Sequence, residues 1–331
     1  MVCITPQDTM RAWRREWWDL FLLLLVAQAG ASVLGWWAIT TNARQVLSGA
    51  PAGVWAEFAF GSAATWAACV FLTLIACFVL VFRYNHGVRR INTELEAQVG
   101  QRVRDATRAR DAMIFGLAKL ADCRDTDTGL HLDRISTYAG LLAQSVHGSR
   151  VETSDRSEPI EEEWISSLCL AASLHDIGKV GIPDAVLLKP GRLTPDERRL
   201  IERHPEIGAG TLAAIRDRFG DDPLVDMAHD IALGHHERWD GSGYPMGRSG
   251  KETPLSARIV ALADVYDALT SNRVYKRAVS HEDACAIIIA GRGTQFDPTV
   301  VDAFEDIAEG FRHAAGCMQE RTVSDQTKLA A

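Results

Sequence analysis

Residues 161–176 read EEEWISSLCLAASLHD. Apolar side chains recur along this stretch at three- and four-residue steps, which is the spacing of a helix with one buried face. The stretch ends on a histidine and an aspartate, and both side chains are common ligands of transition metals. It therefore predicts a helix that delivers His175 and Asp176 to a shared site.

Helical spacing recurs on both sides of this stretch. The runs are ISTYAGLLAQSV (135–146), TPDERRLIERH (194–204) and SARIVALADVYDALTS (256–271). Thr194 is suited to cap a helix, and Pro195 follows it in the first turn. Because strand-like alternation is nearly absent, we predict an all-α domain over residues 115–312, with a polar loop in 151–163 and a flexible tail over 313–331.

Two runs without charge precede this domain, Leu20 to Ile39 and Phe58 to Phe82. About 20 helical residues cross a hydrocarbon core of roughly 30 Å. Tryptophans lie near the ends of the first run, where indoles favour the membrane interface. We therefore predict a transmembrane hairpin over 17–83, with spans at about 20–39 and 58–82. A buried helical hairpin of a soluble protein is the less favoured alternative.

The flanking cations give this hairpin an orientation. Arginines precede the first span and follow the second, whereas the 40–57 loop holds only Arg44. The positive-inside rule places the 1–16 tail and the helical domain in the cytoplasm, with a periplasmic loop, at the bacterial inner membrane. A cleavable signal peptide is the competing interpretation, because Ala27-Gln28-Ala29 resembles a cleavage site.

Residues 84–114 predict a signalling helix that links the membrane segment to the domain. An apolar stripe at three- and four-residue steps suits a parallel homodimer paired through this helix. A solvated linker helix is the alternative, since Gly100 and many charges interrupt the pattern. The stripe comprises Leu95, Val99, Val103, Ala106, Met113 and Leu117.

Composition narrows the possible partners. A net charge of −8 with a pI near 5.7 argues against a nucleic-acid polymer, which requires a basic face. A small anionic ligand remains compatible, because bound cations can dominate the local charge. The seven cysteines are scattered without a C-x-x-C pair, which predicts reduced thiols and no disulfide framework.

Five of the ten histidines share one kind of context: they lie beside carboxylates, at predicted helix ends and next to glycine. Imidazole together with carboxylate suits Fe, Mn or Zn better than Mg or Ca. Adjacent residues on a helix point about 100° apart, so a doublet serves two metals more easily than one. We therefore expect Asp176 to bridge two ions. The candidate ligands are His131, His175, Asp176, His204, His235, His236 and Asp264.

At this point the residues resemble a family. HDIGK (175–179), HPEIG (204–208), HHERWDGSGYP (235–245) and FDP (296–298) occur in the order of the HD-GYP proteins. The segments IPDAVLLKPGRLT (182–194) and ARIVALADVYDALTSNRVYK (257–276) agree as well. The resemblance covers about 115–305. It implies an HD-type helical bundle with the GYP extension, which hydrolyses bacterial cyclic di-GMP with two or three metal ions, often iron or manganese.

The resemblance also implies roles for single residues. The seven candidate ligands above fall on metal positions, and Asp127 matches the carboxylate of members with a third metal. Asp176 and Lys179 take catalytic positions. Asp267, three residues after Asp264, is counted with them as the support of a ligand histidine, with plain helix capping as the alternative. The substrate-binding positions are Lys179, Arg273, Lys276, Gly243 and Tyr244. Val274 stands where the family usually has proline, which affects the stiffness of that loop.

The implied function is a membrane-bound cyclic di-GMP phosphodiesterase that forms pGpG, with GMP as a further product. The Gly-Tyr-Pro loop is implied to touch the substrate or regulatory proteins. Two alternatives stay open: a receptor that binds the dinucleotide without turnover, and a phosphohydrolase for another cyclic dinucleotide.

Overall fold

The computed structural model describes residues 26–45, 48–49, 51–125, 130–148, 161–271 and 277–329. The chain divides into two units, Met1–Arg102 and Val103–Ala331. Within the described residues the structure is helical and holds no strand, only two isolated bridges, Asp240 with Ser249 and Arg292 with Phe296. The predicted all-α fold is thereby confirmed.

The described part of the first unit contains α1, a helix over residues 26–45, and the N-terminal part of α2, Ala52–Asp122. Both helices extend into the segment predicted as a loop over 40–57. The Thr40 and Thr41 hydroxyls donate to the Trp37 carbonyl, so both residues are accommodated inside α1. Pro51 immediately precedes α2. Proline has no backbone N–H to donate, so it is tolerated at the start of a helix but not in its interior.

Among the described residues, one helix is long and apolar enough to cross a membrane, and its most apolar window is entirely exposed. This helix is α2, which contains the whole predicted 58–82 span, and its candidate membrane segment lies within Ala63–Asp122. The predicted 20–39 span is described only from residue 26, where it is helical, and stays a prediction. Gly35 is packed against the Trp66 indole, since a Cβ there would lie 2.7 Å from the ring.

No break separates the predicted 84–114 linker from the domain that follows it. α2 is continuous to Asp122, and Ile114 and Ala118 already pack into the domain. The large apolar residues of the linker stripe are 51–66% exposed. The stripe therefore lacks a partner within the described part of the chain.

The second unit consists of short helices around a single core. They are α3 His131–Gly148, α4 Glu162–Ala172, α5 Asp184–Leu187, α6 Pro195–Ile201, α7 His204–Phe219, α8 Pro223–Gly234, α9 Leu255–Thr270, α10 His281–Ala290 and α11 Pro298–Leu329. The described residues also form three 3₁₀ turns: Cys123–Asp125 before α3, Ile177–Gly181 after α4, and Gly250–Glu252 before α9. α3 packs against α4, α9 and α11, and α8 packs against α4, α7 and α9.

Four buried aromatic rings join α3, α9 and α11. Tyr138 stacks on Phe311 with ring centroids 4.6 Å apart, and Tyr266 meets Phe311 edge-on at 4.9 Å. Phe304 contacts Phe311 at 5.0 Å. Buried aromatics contribute strongly to core stability, because each removes roughly 150–250 Å² from water. This cluster fixes α3 against α9, the two helices that carry His131 and Asp264.

Helix ends follow the local sequence in two places. Thr194 and Glu197 form a reciprocal capping box at the start of α6, with Pro195 at the first position, which confirms the predicted N-terminus. At the other end of the domain, α11 stays helical to Leu329, although a flexible tail is predicted over 313–331. The sequence after Gly316 contains no glycine or proline to end the helix.

Candidate metal centre

The His175-Asp176 doublet lies at a turn rather than on a helix. α4 ends at Ala172, and Asp176 precedes the 3₁₀ turn Ile177–Gly181. The predicted 100° separation of two helical side chains therefore does not apply. The turn instead lets the Asp176 carboxylate reach neighbours on both sides.

Backbone carbonyls fix the orientation of three imidazoles. Nδ1 of His175 lies 2.9 Å from the Ala172 oxygen, and Nδ1 of His204 lies 2.8 Å from Ile201 oxygen. Nδ1 of His235 lies 3.0 Å from the carbonyl of residue 231. Because a carbonyl can only accept, each Nδ1 carries the hydrogen and donates it. The Nε2 atoms are left free to ligate a cation.

The seven predicted ligands lie together in two clusters. Within each cluster, the candidate ligand atoms are all within 4.8 Å of one another. The first cluster is Asp176, His204, His235 and His236. The second is His131, His175 and Asp264.

Asp176 lies between the two clusters. Its Oδ1 is 3.1 Å from His204 Nε2 in the first cluster, and its Oδ2 is 3.2 Å from His175 Nε2 in the second. A carboxylate with one oxygen on each side has the placement that a bridging ligand requires.

The donor set fits divalent cations. His131 and His175 bring their Nε2 atoms within 3.4 Å, and His204 and His235 do the same. Two unprotonated imidazole nitrogens that face each other at this distance repel, and a cation bound between them relieves that repulsion. Asp176 Oδ1 is also buried without a hydrogen-bond partner, which costs about 1–3 kcal/mol if nothing satisfies it.

The electrostatics of the clusters agree with this fit. Burial alone would lower the pKa of His175, but the Asp176 and Asp264 carboxylates outweigh burial and raise it to about 9. Burial and the neighbouring His175 lower the pKa of His235 to about 4. Without metal, the centre therefore holds a proton on His175, while His235 is neutral.

Metal affinity should rise with pH. The raised pKa of His175 means that its proton is present at neutral pH and is lost only near pH 9, so a cation must displace it. We expect the apparent affinity for Mn²⁺ to increase by up to about tenfold per pH unit below that pKa, with proton release. Titration calorimetry in buffers of different ionisation enthalpy measures both effects. Affinity that is independent of pH, without proton release, would contradict this expectation.

A buried chain of charges supports His131. Its Nδ1 lies 2.7 Å from Asp267 Oδ2, and Arg134 donates to both oxygens of this carboxylate. Burial tends to raise the pKa of Asp267, but His131 and Arg134 hold it below its usual value. Asp267 thus orients the imidazole, as a carboxylate does behind a metal-bound histidine. Arg134 was not predicted, although it follows His131 by three residues and so lies on the same helical face.

Replacing Asp267 with asparagine should weaken Mn²⁺ binding by about 10–100-fold, the usual effect of removing such a supporting carboxylate. Asp297→Asn is the matched control, because Asp297 is also buried and paired with an arginine, Arg258, outside the two clusters. We expect the control to lower thermal stability without changing Mn²⁺ affinity. Equal metal affinities of the Asp267 variant and the native chain would show that Asp267 does not support the site.

Lys179 also lies at the centre. Its Nζ is 2.8 Å from Asp176 Oδ2. Burial opposes ionisation of Asp176, but Lys179 and His175 hold the pKa of its carboxyl well below the usual range. Asp176 is therefore ionised, and an ammonium group stands beside it.

Two glycines permit this close approach, and neither was predicted from the sequence. A Cβ on Gly178 would lie 1.9 Å from the His204 carbonyl oxygen and 2.5 Å from the Gly208 nitrogen. A Cβ on Gly208 would lie 3.2 Å from the Gly178 nitrogen. The 3₁₀ turn thus packs backbone to backbone against α7, which brings Asp176 to His204.

The Gly-Tyr-Pro loop folds over the edge of the first cluster. A Cβ on Gly243 would lie 2.4 Å from the Arg238 nitrogen, so only glycine fits at this position. Gly241, two residues earlier, has a positive φ of 78°. The Tyr244 ring stacks on His236 with centroids 4.8 Å apart. Glu237 accepts hydrogen bonds from the backbone nitrogens of residues 246 and 248, at 2.7 and 3.1 Å, and so holds the loop closed.

Three predicted site residues, Asp127, Arg273 and Lys276, lie outside the described residues, and their roles stay predictions.

A cavity of about 300 Å³ borders the first cluster, with His236, Tyr244 and Gln295 among its lining residues. Its size is at the lower end of the range for small-ligand pockets.

Comparison with known proteins agrees with this geometry. Residues 141–300 match the family model described as HD domain. A probable cyclic di-GMP phosphodiesterase of Vibrio cholerae is 50% identical over 215 residues, which are 64% of this chain and 48% of the relative. A second V. cholerae protein, named cyclic di-GMP phosphodiesterase, is 48% identical over 61% of this chain and 40% of its own length.

A third V. cholerae relative, named 3′3′-cGAMP-specific phosphodiesterase 2, is 33% identical over 67% of this chain and 38% of its own length. The chain thus spans less than half the length of these three relatives. The HD domain match contains six of the seven clustered candidate ligands, all except His131, together with the His175-Asp176 doublet and the Gly-Tyr-Pro loop. The helical domain of this chain therefore belongs to the HD domain family, and it carries the motifs that resemble the HD-GYP proteins.

Proposed function

We propose that the chain is a membrane-bound, metal-dependent cyclic di-GMP phosphodiesterase. It hydrolyses the 3′–5′ phosphodiester to linear pGpG, with GMP as a further product. The observation that carries this proposal is the Asp176 carboxylate set between two imidazole clusters. The names of two relatives at 48–50% identity support the substrate.

The two clusters would hold two divalent cations, and iron or manganese suits ligands of this type. Asp127, four residues before His131 in the sequence, would add a ligand for a third. When bound, such ions lower the pKa of water towards 7 and neutralise phosphoryl charge.

The protein's own groups then orient the substrate and move a proton. The Lys179 ammonium, beside Asp176, protonates the departing 3′ oxygen. Arg273 and Lys276 bind phosphate oxygens through charge-assisted hydrogen bonds. Asp267 keeps His131 in place, while Gly243 and Tyr244 shape the edge at which the dinucleotide enters.

Turnover by the full-length chain in detergent tests the proposal. After chelation and reloading with Mn²⁺ or Fe²⁺, we expect cyclic di-GMP to be consumed and pGpG to appear on chromatography. Intact cyclic di-GMP after prolonged incubation with fully loaded protein would refute the activity. Tight binding without turnover would instead identify the chain as a receptor.

The 33% identity to a cGAMP-specific relative makes another cyclic dinucleotide the second candidate substrate. A competition assay with equal concentrations of cyclic di-GMP and 3′3′-cGAMP separates the two. We expect cyclic di-GMP to be consumed first. Faster loss of 3′3′-cGAMP would reassign the substrate.

The exposed apolar part of α2 supports anchoring in the bacterial inner membrane, with the helical domain in the cytoplasm. This orientation is tested by fusing, after residue 331, a reporter enzyme that is active only in the cytoplasm. We expect the fusion to be active. Activity of a periplasm-specific reporter at the same point would reverse it.

The exposed linker stripe supports a parallel homodimer. An engineered Val99→Cys variant should cross-link to itself, whereas Ala97→Cys, on the opposite helical face, should not. Equal cross-linking at both positions would contradict pairing through the stripe.

The Gly-Tyr-Pro loop is a further candidate surface for regulatory proteins. A pull-down with the native chain tests it, and a Met246→Glu variant is the control, since Met246 is exposed there.

A further inference from the structure

Arg124 connects the end of α2 to the turn that carries Asp176 and Lys179. It lies in the 3₁₀ turn Cys123–Asp125, which directly follows α2. Its guanidinium donates to the carbonyl oxygen of residue 180 at 2.7 Å and to that of residue 182 at 3.4 Å, and it pairs with Asp184. The first of these carbonyls belongs to the residue immediately after Lys179.

The same end of α2 also faces the second cluster. Lys119 Nζ lies 3.5 Å from Asp133, in the first turn of α3, which begins at His131. Asp122 Oδ2 is buried without a hydrogen-bond partner. Burial raises the pKa of Asp122.

The His175-Asp176 turn is therefore held on two sides. On one side, Gly178 packs directly against the His204 backbone. On the other side, Arg124 binds the backbone carbonyls of residues 180 and 182, at the end of the 3₁₀ turn. Because the turn is a single short 3₁₀ segment, a shift of these carbonyls moves Lys179 and the Asp176 carboxylate with them.

We propose that Arg124 is a positioning residue for Asp176 and Lys179, and that α2 acts on the metal centre through it. The proposal rests on the proposed hydrolysis for its kinetic readout, and on metal binding for an independent one. Rotation of α2 about its axis would withdraw the guanidinium from the two carbonyls. A signal received along α2 would thus alter the centre directly.

The test compares Arg124→Gln, Arg124→Lys and Arg110→Gln in the full-length chain. Arg110 is the matched control, because it lies on α2 and its guanidinium is 3.5 Å from Asp222 rather than at the catalytic turn. For Arg124→Gln we expect kcat on cyclic di-GMP and Mn²⁺ affinity to fall by about 10–100-fold, as for other residues that support metal ligands. KM should change little, because Arg124 does not belong to the substrate-binding set.

Arg124→Lys should recover part of both losses, since a lysine keeps one charged donor, and Arg110→Gln should match the native chain. Unchanged kcat and Mn²⁺ affinity in Arg124→Gln would overturn the inference. A second outcome would also overturn it: melting temperature and Mn²⁺ affinity both fall in Arg124→Gln, and both stay as low in Arg124→Lys. Arg124 would then support only the fold. If the native chain itself shows no turnover, the proposed function fails, and the Mn²⁺ affinities of the variants still decide the role of Arg124.

Discussion

Replacing Asp176 with alanine should lower kcat on cyclic di-GMP by about 10³-fold or more. Each 1.36 kcal/mol of lost transition-state stabilisation is a factor of ten in rate, and metal-centred charge stabilisation is worth several kcal/mol. Asp176 belongs to the first cluster, where its Oδ1 lies 3.1 Å from His204 Nε2, and its Oδ2 also lies 3.2 Å from His175 Nε2 of the second cluster. Its removal therefore weakens both cation sites at once, whereas removal of a single histidine weakens one.

Steady-state kinetics with metal analysis measure this effect. Asp226→Asn is the control, because Asp226 is paired with Arg216 at 3.2 Å on the outside of the domain. We expect the control to keep native metal content and kcat. An Asp176→Ala protein that retains two metal ions and turnover within tenfold of native would contradict the bridging role.

Replacing Gly178 with alanine should remove metal binding and destabilise the domain by about 3 kcal/mol or more, above the usual range for overpacking. The added methyl group would meet the His204 oxygen at 1.9 Å and the Gly208 nitrogen at 2.5 Å. Both obstacles are backbone atoms, so no side-chain rotation relieves the clash. The 3₁₀ turn and α7 must separate, which moves Asp176 away from His204.

Gly210→Ala is the matched control for this change. Gly210 lies in the same helix, α7, and a Cβ there meets nothing within 4 Å. Alanine should therefore stabilise the helix by about 0.5–1 kcal/mol. Thermal unfolding and Mn²⁺ titration of the two variants give the comparison. Native metal affinity in Gly178→Ala would show that the close packing of turn and helix is not required.

The ligand histidines could be predicted because their chemistry is visible in the chain itself. His175, His204 and His235 stand beside acids and glycines at helix ends, and the order of motifs resembles one family. The structure brings all three together with their Nε2 atoms directed inward. The all-α fold was accessible for a similar reason, since helical periodicity is a local property.

Contacts between distant segments were not accessible in the same way. Arg124 reaches residue 180 across 56 positions, and Arg134 reaches Asp267 across 133. Nothing in the spacing of either arginine distinguishes it from an exposed cation. The requirement for Gly178 likewise depends on the backbone of another helix, which a single sequence does not reveal.

Helix boundaries were the other source of differences. The predicted linker ends at 114, whereas α2 continues to Asp122, because no proline interrupts residues 115–122 and the single Gly116 is tolerated inside the helix. The His175-Asp176 doublet shows the opposite difference: helical periodicity continues to the doublet, but α4 ends at Ala172. The carbonyl of Ala172 then accepts from His175 Nδ1, which gives this early end a role in orienting a ligand.

Anomalous diffraction from crystals of the Mn²⁺-loaded protein tests the central claim most directly. We expect two peaks about 3.5–4 Å apart, the spacing of two-metal centres, with one Asp176 oxygen on each ion. His204, His235 and His236 should ligate one ion, and His131, His175 and Asp264 the other. A single peak, or peaks away from Asp176, would contradict the account.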